Sequence, residues 1–149
     1  MLVLDLMQHS SALKTRVVSE NRQIFDPVRR KWVAFQPEEM VRQLLIMHLH
    51  HAHMISYSRM SVEKAIAVNA MSRRYDLVVY DRNARPWLLA ECKSPQTKLD
   101  QSTMDQVAGY NLKLRVPYLL MCNGPEAWCC KIDFATESWV FIDTLPEES

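Results

Sequence analysis

The sequence predicts a mixed α/β domain in which a central sheet is flanked by helices. Three observations support this: a helical apolar period follows Pro37, a two-residue period begins at residue 61, and a second helical period covers residues 101–113. A length of 149 residues corresponds to one domain. Within it we expect an N-terminal arm and hairpin over 1–36, a core over 37–133 and an acidic C-terminal extension over 134–149.

The N-terminal arm is expected to form a β-hairpin over residues 13–26, followed by one more strand. Its two apolar segments flank the polar turn Glu20-Asn21-Arg22, which is typical of short antiparallel strands. Asp26-Pro27 begins a second turn, and residues 31–35 form the next strand.

A helix is predicted from Pro37 to about residue 51. Proline suits the first helical position, and Glu38 and Glu39 suit the positive end of the helix dipole. Its apolar side comprises Met40, Val41, Leu44, Leu45, His48 and Leu49. The histidines of residues 48–53 lie in i, i+3 pairs, whereas the usual two-histidine metal motif has i, i+4 spacing, so we interpret them as a polar, fraying helix end.

Three strands with a period of two follow. In the first, Val62, Ile66 and Val68 alternate with polar or small residues, which places them on one face. Residues 75–80 form the second strand, and a turn over 81–86 leads to the third, residues 87–93.

The last third of the chain continues the α/β pattern. Asp100 can N-cap a helix over 101–113, whose apolar stripe is Met104, Val107, Ala108 and Leu112. Residues 118–122 are a continuous apolar run typical of a buried strand. Further strands are expected over 127–132 and 139–142.

Composition excludes several classes of protein. With two glycines far apart, Gly109 and Gly124, the chain has neither a Walker A loop nor a dinucleotide-binding turn. Its four cysteines show no CxxC spacing, which argues against a zinc site. We expect a reduced, cytoplasmic protein without a membrane partner, since no apolar stretch reaches membrane-spanning length.

Charge is unevenly distributed along the chain. Residues 1–125 hold 17 basic and 11 acidic side chains, whereas residues 126–149 hold one basic and six acidic. A basic body is compatible with a polyanionic partner such as nucleic acid, and equally with an ordinary solvated surface. No recognition helix and no aromatic-rich basic groove is evident, so little base discrimination is expected.

Two carboxylates and a lysine converge at one end of the predicted sheet. Glu91 and Lys93 point to the same side of their strand, and Asp76 lies at the corresponding end of the preceding, antiparallel strand. Adjacent carboxylates repel unless one is protonated or a cation lies between them. Mg²⁺, which prefers oxygen ligands, would meet that need. The alternative is a surface ion pair between Glu91 and Lys93.

The pattern Asp76, then Glu91-Cys92-Lys93, resembles the D…(D/E)xK motif of the PD-(D/E)XK nuclease superfamily. The wider segments IFDPVRRKWVAFQPEEMVRQ, RRYDLVVYDRNARPWLLAECKSP and LDQSTMDQVAGYNLKLRVPYLLMCNG are similar to small stand-alone relatives of the nuclease domain at the N-terminus of type I restriction enzyme R subunits. The resemblance covers roughly residues 13–133. It implies a restriction-endonuclease-like fold with an αβββαβ core.

The resemblance also implies roles for individual residues in Mg²⁺- or Mn²⁺-dependent DNA hydrolysis. Asp76, Glu91 and the backbone carbonyl of Cys92 would be metal ligands, and Lys93 would orient the attacking water. The helix acid would be Glu39, with Glu38 as the fallback, and Gln106 would line the site. Contacts to nucleic acid are expected from Arg29, Arg30, Lys31, Arg73, Arg74, Tyr110 and Lys113.

The expected partners are DNA, a separate motor or specificity subunit, and a second copy of the chain in a homodimer. The alternative function is a non-catalytic nucleic-acid-binding or assembly module that keeps the fold. Simpler interpretations of individual residues also stay open. Glu38 and Glu39 can serve the helix dipole alone, Gln106 and Tyr110 can form a solvated helix face, and the arginine pairs can lie in solvated turns.

Overall fold

The computed structural model describes residues 2–147 and contains two sheets. Two α-helices flank the larger sheet, α1 (Pro37–His53) and α2 (Gln101–Leu114). The strands are β1 (Thr15–Val18), β2 (Asn21–Asp26), β3 (Lys31–Ala34), β4 (Met60–Val68), β5 (Met71–Tyr80), β6 (Pro86–Cys92), β7 (Tyr118–Cys122), β8 (Ala127–Asp133) and β9 (Ser138–Ile142). Short 3-10 helices cover Leu6–Ala12 and Tyr57–Arg59. The mixed α/β fold is confirmed.

The N-terminal arm forms a separate three-stranded antiparallel sheet, β1-β2-β3, so the predicted hairpin and third strand are confirmed. The turn between β2 and β3 is organised by Asp26, whose carboxylate accepts hydrogen bonds from the backbone amides of Val28 and Arg29 at 2.7 and 3.1 Å. Asp26 is fully buried, so its charge must be balanced within the protein.

The second sheet has six strands in the order β4-β5-β6-β7-β8-β9. All neighbours are antiparallel except β6 and β7, which are parallel because α2 forms the crossover between them. As predicted, Asp100 caps α2: its side chain accepts a hydrogen bond of 2.6 Å from the amide of Ser102. The strand order places the ends of β5 and β6 beside each other, where the predicted site lies.

Each face of the six-stranded sheet is covered by one helix. The α1 face buries Leu44 and Leu45 of the helix against Leu77, Leu88 and other residues of the central strands. The α2 face has its own core, to which Met104, Val107, Ala108, Val78 and Leu89 belong. Because both faces of β5 and β6 are covered, side chains of these strands pack in both cores.

Strand β4 departs from the predicted single face. Val62 packs in the α1-side core, whereas Ile66 and Val68 pack in the α2-side core. The change of face coincides with Glu63, whose backbone adopts a left-handed conformation with φ of 54°. A two-residue period assumes continuous extended backbone, so one left-handed residue invalidates it. The expectation of one common face was therefore wrong.

The end of α1 is ordered, in contrast to the fraying predicted from its histidines. The helix continues to His53, and Met54 caps it in the left-handed conformation. His48 is buried, with Nδ1 3.1 Å from Nε2 of His9, and His50 stacks on Tyr57 with ring centroids 3.8 Å apart. Packing by the N-terminal 3-10 helix explains the difference, since that contact is remote in sequence.

The C-terminal extension is partly integrated into the sheet. Its strand β9 pairs with β8 and forms one edge, and Trp139 donates a hydrogen bond of 2.8 Å to Asp105 of α2. Among residues 2–147, neither helix has the length and apolar character that crossing a membrane requires.

Candidate active site

Strands β5 and β6 bring Asp76 and Glu91 together. Their antiparallel register pairs Leu77 with Ala90, so Asp76 and Glu91 occupy the next opposed positions. Asp76 is half-buried, and its Oδ2 accepts a hydrogen bond of 2.7 Å from the backbone amide of Cys92. One carboxylate is thus fixed by the backbone of the strand that carries the other.

Glu91 is a buried carboxylate with cationic neighbours. It is 8% exposed, and its Oε1 lies 2.6 Å from Nη2 of Arg73, while Oε2 lies 3.8 Å from Nζ of Lys93. Burial raises the pKa of Glu91; the charges of Arg73 and Lys93 oppose this rise, and those of Asp76 and Glu38 add to it. The site therefore concentrates negative charge in a poorly solvated place.

Arg73 is held between aromatic rings. Its guanidinium carbon lies 5.2 Å from the ring centroid of Tyr75 and 5.3 Å from that of Tyr110. Tyr75 is fixed in turn, since its hydroxyl donates a hydrogen bond of 2.8 Å to Asn111. Nη1 of Arg73 is buried and has no acceptor within residues 2–147. Arg73 therefore has donor capacity that Glu91 does not use.

A cleft of about 350 Å³ lies between the end of β6 and the side of α2. Its lining combines two cations, one carboxylate, hydroxyl and amide groups: Ser72, Arg73, Glu91, Lys93, Thr103, Gln106, Val107 and Tyr110. Five of the residues predicted from the sequence thus line a single cleft. Thr103, which the sequence analysis missed, lies one turn before Gln106, and that helical spacing could have identified it.

The two candidate helix acids point in different directions. Glu39 is buried and is bound by Arg29 at 2.6 Å, Arg42 at 3.1 Å and Gln43 at 3.3 Å. Glu38 is exposed, and its charge contributes to the raised pKa of Glu91. The structure therefore places Glu39 in an ion-pair network and leaves Glu38 nearer to Glu91.

Arg42 connects this network with the predicted site. Besides Glu39, it approaches the backbone carbonyl of Asp76 at 3.5 Å and the carboxylate of Glu63 at 3.6 Å. Arg29 joins Glu39 to the buried Asp26; although burial opposes its charge, these two acidic partners raise the pKa of Arg29. Arg29 is thus engaged within the protein.

The other predicted nucleic-acid contacts are distributed differently. Arg30 and Lys31 are exposed at the turn between β2 and β3, Arg74 is exposed on β5, and Lys113 is exposed on α2. Arg73 and Tyr110, in contrast, lie in the cleft.

Cys92 contributes its backbone to the site, not its thiol. The side chain is buried on the α1 side of the sheet, with its sulfur 3.9 Å from that of Cys122. The contact with Cys122 and burial raise the pKa of Cys92, so the thiol stays protonated and unreactive.

The donors at this site suit a hard divalent cation. Asp76, Glu91 and the Cys92 carbonyl all offer oxygen, and the crowding of carboxylates around buried Glu91 favours a positive charge. Within residues 2–147 no three His, Cys, Asp or Glu side chains are grouped to hold a metal. Mg²⁺ is commonly bound through one or two carboxylates with water and substrate phosphate, so two carboxylates fit this ion.

Comparisons with known proteins agree with the fold. The family model described as the type I restriction enzyme R protein N terminus matches residues 37–146. A solved fragment described as an HsdR subunit of a type I restriction enzyme from Vibrio vulnificus YJ016 is similar in structure, with a TM-score of 0.50 and 13% sequence identity. The similarity covers 75% of this chain and 24% of that one. No curated protein matches the chain.

Proposed function

The chain belongs to the family of the type I restriction enzyme R protein N terminus, and from this premise we propose that it hydrolyses DNA phosphodiester bonds with Mg²⁺ or Mn²⁺. The observation that carries the proposal is the buried carboxylate Glu91, opposed by Asp76 and flanked by Lys93 in a polar cleft. A purely structural ion pair would need neither the second carboxylate nor the cleft.

Asp76, Glu91 and the Cys92 carbonyl would hold the metal. When bound, the metal would polarise the scissile phosphate and lower the pKa of a bound water. Lys93, whose ammonium lies 3.8 Å from Glu91 and is partly exposed, can orient the attacking water and balance phosphate charge. The hydrogen bond from the Cys92 amide keeps Asp76 oriented throughout.

Arg73 would have two successive partners in this proposal. Without metal it neutralises Glu91 at 2.6 Å. In a complex with DNA its guanidinium, a planar set of donors, would contact a phosphate. Gln106 and Tyr110, on the exposed side of α2, line the path along which the DNA backbone would lie.

Glu39 would act as a positioning residue. Its carboxylate orients Arg42, and Arg42 contacts the backbone carbonyl of Asp76 at 3.5 Å. The charge of Glu38 would thus act on Glu91 directly, and Glu39 would act through Arg42.

DNA and other subunits are the proposed partners. The chain spans 24% of the HsdR fragment that it resembles, and a motor or specificity subunit is the proposed protein partner. A homodimer would be a second way to engage both strands of DNA.

A nuclease assay tests the proposal directly. Linear, circular and branched DNA would be incubated with Mg²⁺, Mn²⁺ or EDTA, with Glu91→Ala beside the wild-type protein. Cleavage is expected only with metal and only in the wild type. Cleavage that persists in EDTA or in Glu91→Ala would contradict the proposal.

Metal binding is tested separately by thermal unfolding. Metal that binds only the folded protein stabilises it by about 2.7 kcal/mol at a concentration 100 times its Kd. We expect Mg²⁺ to raise the Tm of the wild type and of Lys113→Met, but not of Asp76→Asn. An equal shift in Asp76→Asn would place the metal elsewhere.

The second candidate function is a non-catalytic nucleic-acid-binding or assembly module. The ion pair between Arg73 and Glu91 favours it, because a permanent cation at 2.6 Å removes the need for metal. In that case DNA binding would be independent of Mg²⁺, and no metal would shift the Tm.

A further inference from the structure

The three-stranded sheet β1-β2-β3 precedes the segment that matches the family, residues 37–146. Its two faces differ. One face carries the buried residues Ile24 and Asp26 and packs into the protein. On the other face, Phe25 and Trp32 lie opposite each other on β2 and β3 and stay half-exposed. Part of both rings is therefore available for contact with a ligand.

Two cations cover these rings. Nζ of Lys14 lies 5.0 Å from the ring centroid of Phe25 and 5.7 Å from that of Trp32, and the guanidinium carbon of Arg16 lies 4.2 Å from Trp32. Nε of Arg16 donates a hydrogen bond of 2.7 Å to Gln23, which fixes the guanidinium plane. We call Lys14, Arg16, Gln23, Phe25 and Trp32 the Trp32 face.

The Trp32 face has the chemistry of a polyanion-binding surface. Lys14 and Arg16 are its charged residues, and the other positions that alternate onto it from β1–β3 are aromatic, amide or small apolar side chains. With no acidic residue among them, the face complements phosphate. Planar groups, the indole and the guanidinium above it, are exposed beside the positive charge.

Rings and guanidinium planes serve best as stacking partners for bases that are not already paired. Proteins that bind single-stranded nucleic acid combine cationic grooves with aromatic platforms, whereas a duplex keeps its base faces inside the stack. The same pattern on duplex DNA would contact phosphates alone and would make no use of Trp32.

We propose that the Trp32 face binds single-stranded nucleic acid, with a base stacked on the Arg16–Trp32 pair and phosphates contacting Lys14. This function is independent of metal and of Glu91, and goes beyond the proposed hydrolysis of DNA. It would give the protein a second contact with a strand, outside the part that matches the family.

The test is fluorescence anisotropy of the full-length chain with labelled oligo(dT), oligo(U) and a duplex of equal length, all in EDTA. The single strands are expected to bind at least tenfold more tightly than the duplex. Arg16→Gln and Trp32→Leu should each weaken single-strand binding about fivefold or more, in line with ~1–3 kcal/mol per stacked base.

The opposite face of the same sheet offers a matched control. Arg22 lies over Phe35 with its guanidinium carbon 4.1 Å from the ring centroid, so Arg22→Gln removes the same charge and a similar cation–π contact. This variant is expected to bind single strands nearly as tightly as the wild type. Far-UV circular dichroism checks that each variant keeps its strands.

Three outcomes would overturn the proposal: no single-strand binding at low salt, tighter binding of the duplex, or equal weakening by Arg16→Gln and Arg22→Gln. The last would mean that only overall charge matters. The nuclease proposal is tested by cleavage in Glu91→Ala and this one by single-strand binding in Trp32→Leu, so the two failures are separable. Binding of either oligo(dT) or oligo(U) alone would support it and identify the sugar that is preferred.

Discussion

The two faces of the six-stranded sheet each carry a buried glutamate paired with arginine, but in different settings. On the α1 side, Glu39 is bound by Arg29 and Arg42 and receives a further hydrogen bond from Gln43. On the α2 side, Glu91 is bound by Arg73, lies opposite a second carboxylate and borders a cleft of about 350 Å³.

This difference separates a buried charge with a structural role from one that is available for chemistry. Around Glu39, cations surround the carboxylate and connect α1 with the β2–β3 turn and with β5, so the network joins elements. Around Glu91, further negative charge from Asp76 and Glu38 acts with burial to raise its pKa. Only the second arrangement gains from an added cation.

The largest expected effect concerns Lys93. Lys93→Met removes the ammonium from the cleft but leaves the proposed ligands in place, so cleavage should fall by about 10²–10⁴-fold, the usual contribution of a positioned catalytic group. The Mg²⁺-induced rise in Tm should remain. Lys131→Met, at an exposed position of β8, is the control and should cleave like the wild type. Unchanged cleavage by Lys93→Met would remove Lys93 from the proposed mechanism.

Next in size is the stability difference between Glu39→Gln and Glu91→Gln. Glu39→Gln leaves the buried guanidinium of Arg42 with only the exposed carboxylate of Glu63, 3.6 Å away, and should lower the free energy of unfolding by about 3 kcal/mol. Glu91→Gln leaves Arg73, whose side chain is 27% exposed, without its ion pair, but it also removes a poorly solvated charge that Asp76 and Glu38 repel, so it should cost only about 1 kcal/mol. Urea unfolding of both variants measures the difference, and equal losses would erase the distinction between the two faces.

Much of the fold could be predicted because it depends on local patterns. The apolar run of residues 118–122 coincides with β7, and Asp100 caps α2 as its position before a helical period indicates. The opposition of Asp76 and Glu91 was also predictable, since a short turn fixes the register of the two strands that it joins.

The features of the site that could not be predicted from the sequence depend on contacts between distant residues. Which of Glu38 and Glu39 lies nearer to Glu91 depends on the rotation of α1 and on the ion pairs of Glu39 with Arg29 and Arg42. Likewise, Arg73 was expected on DNA but lies against Glu91, eighteen positions further along the chain.

The Trp32 face combines aromatic and basic residues in a way that the sequence analysis did not identify. Its residues come from three strands, and they become neighbours only when β2 pairs with both β1 and β3. The sequence signal that could have identified it is the i, i+2 spacing of Lys14 and Arg16 and of Gln23 and Phe25, which places both members of each pair on one side of their strand.

A pH series distinguishes the faces further, because α1 also carries His48. Burial, followed by the charges of His53 and His9, lowers the pKa of His48 from 6.5 to about 4. Between these values the unfolded chain binds the proton that the folded protein excludes, so stability falls as pH decreases from 6.5 to about 4.

We expect His48→Gln to remove about 1–2 kcal/mol of this acid sensitivity. The measurement is the free energy of unfolding at pH 7 and pH 4.5 for both proteins. Parallel pH dependence in wild type and His48→Gln would show that His48 does not contribute, and that acid acts through other groups.

The smallest expected effect changes stability without altering either face. Ala84, in the turn that joins β5 and β6, has a φ of 59°, and the turn is closed by a hydrogen bond of 2.8 Å from the Asp81 amide to the Arg85 carbonyl. A left-handed conformation costs an alanine about 1–2 kcal/mol, and the greater freedom of glycine in the unfolded chain offsets part of any gain. Ala84→Gly should therefore stabilise the protein by about 0.5 kcal/mol and raise its Tm slightly.

Because the turn lies at the opposite end of these strands from Asp76 and Glu91, DNA cleavage per folded molecule should stay the same. Reduced cleavage in this more stable variant would mean that the geometry of the site depends on the turn at the far end of β5 and β6.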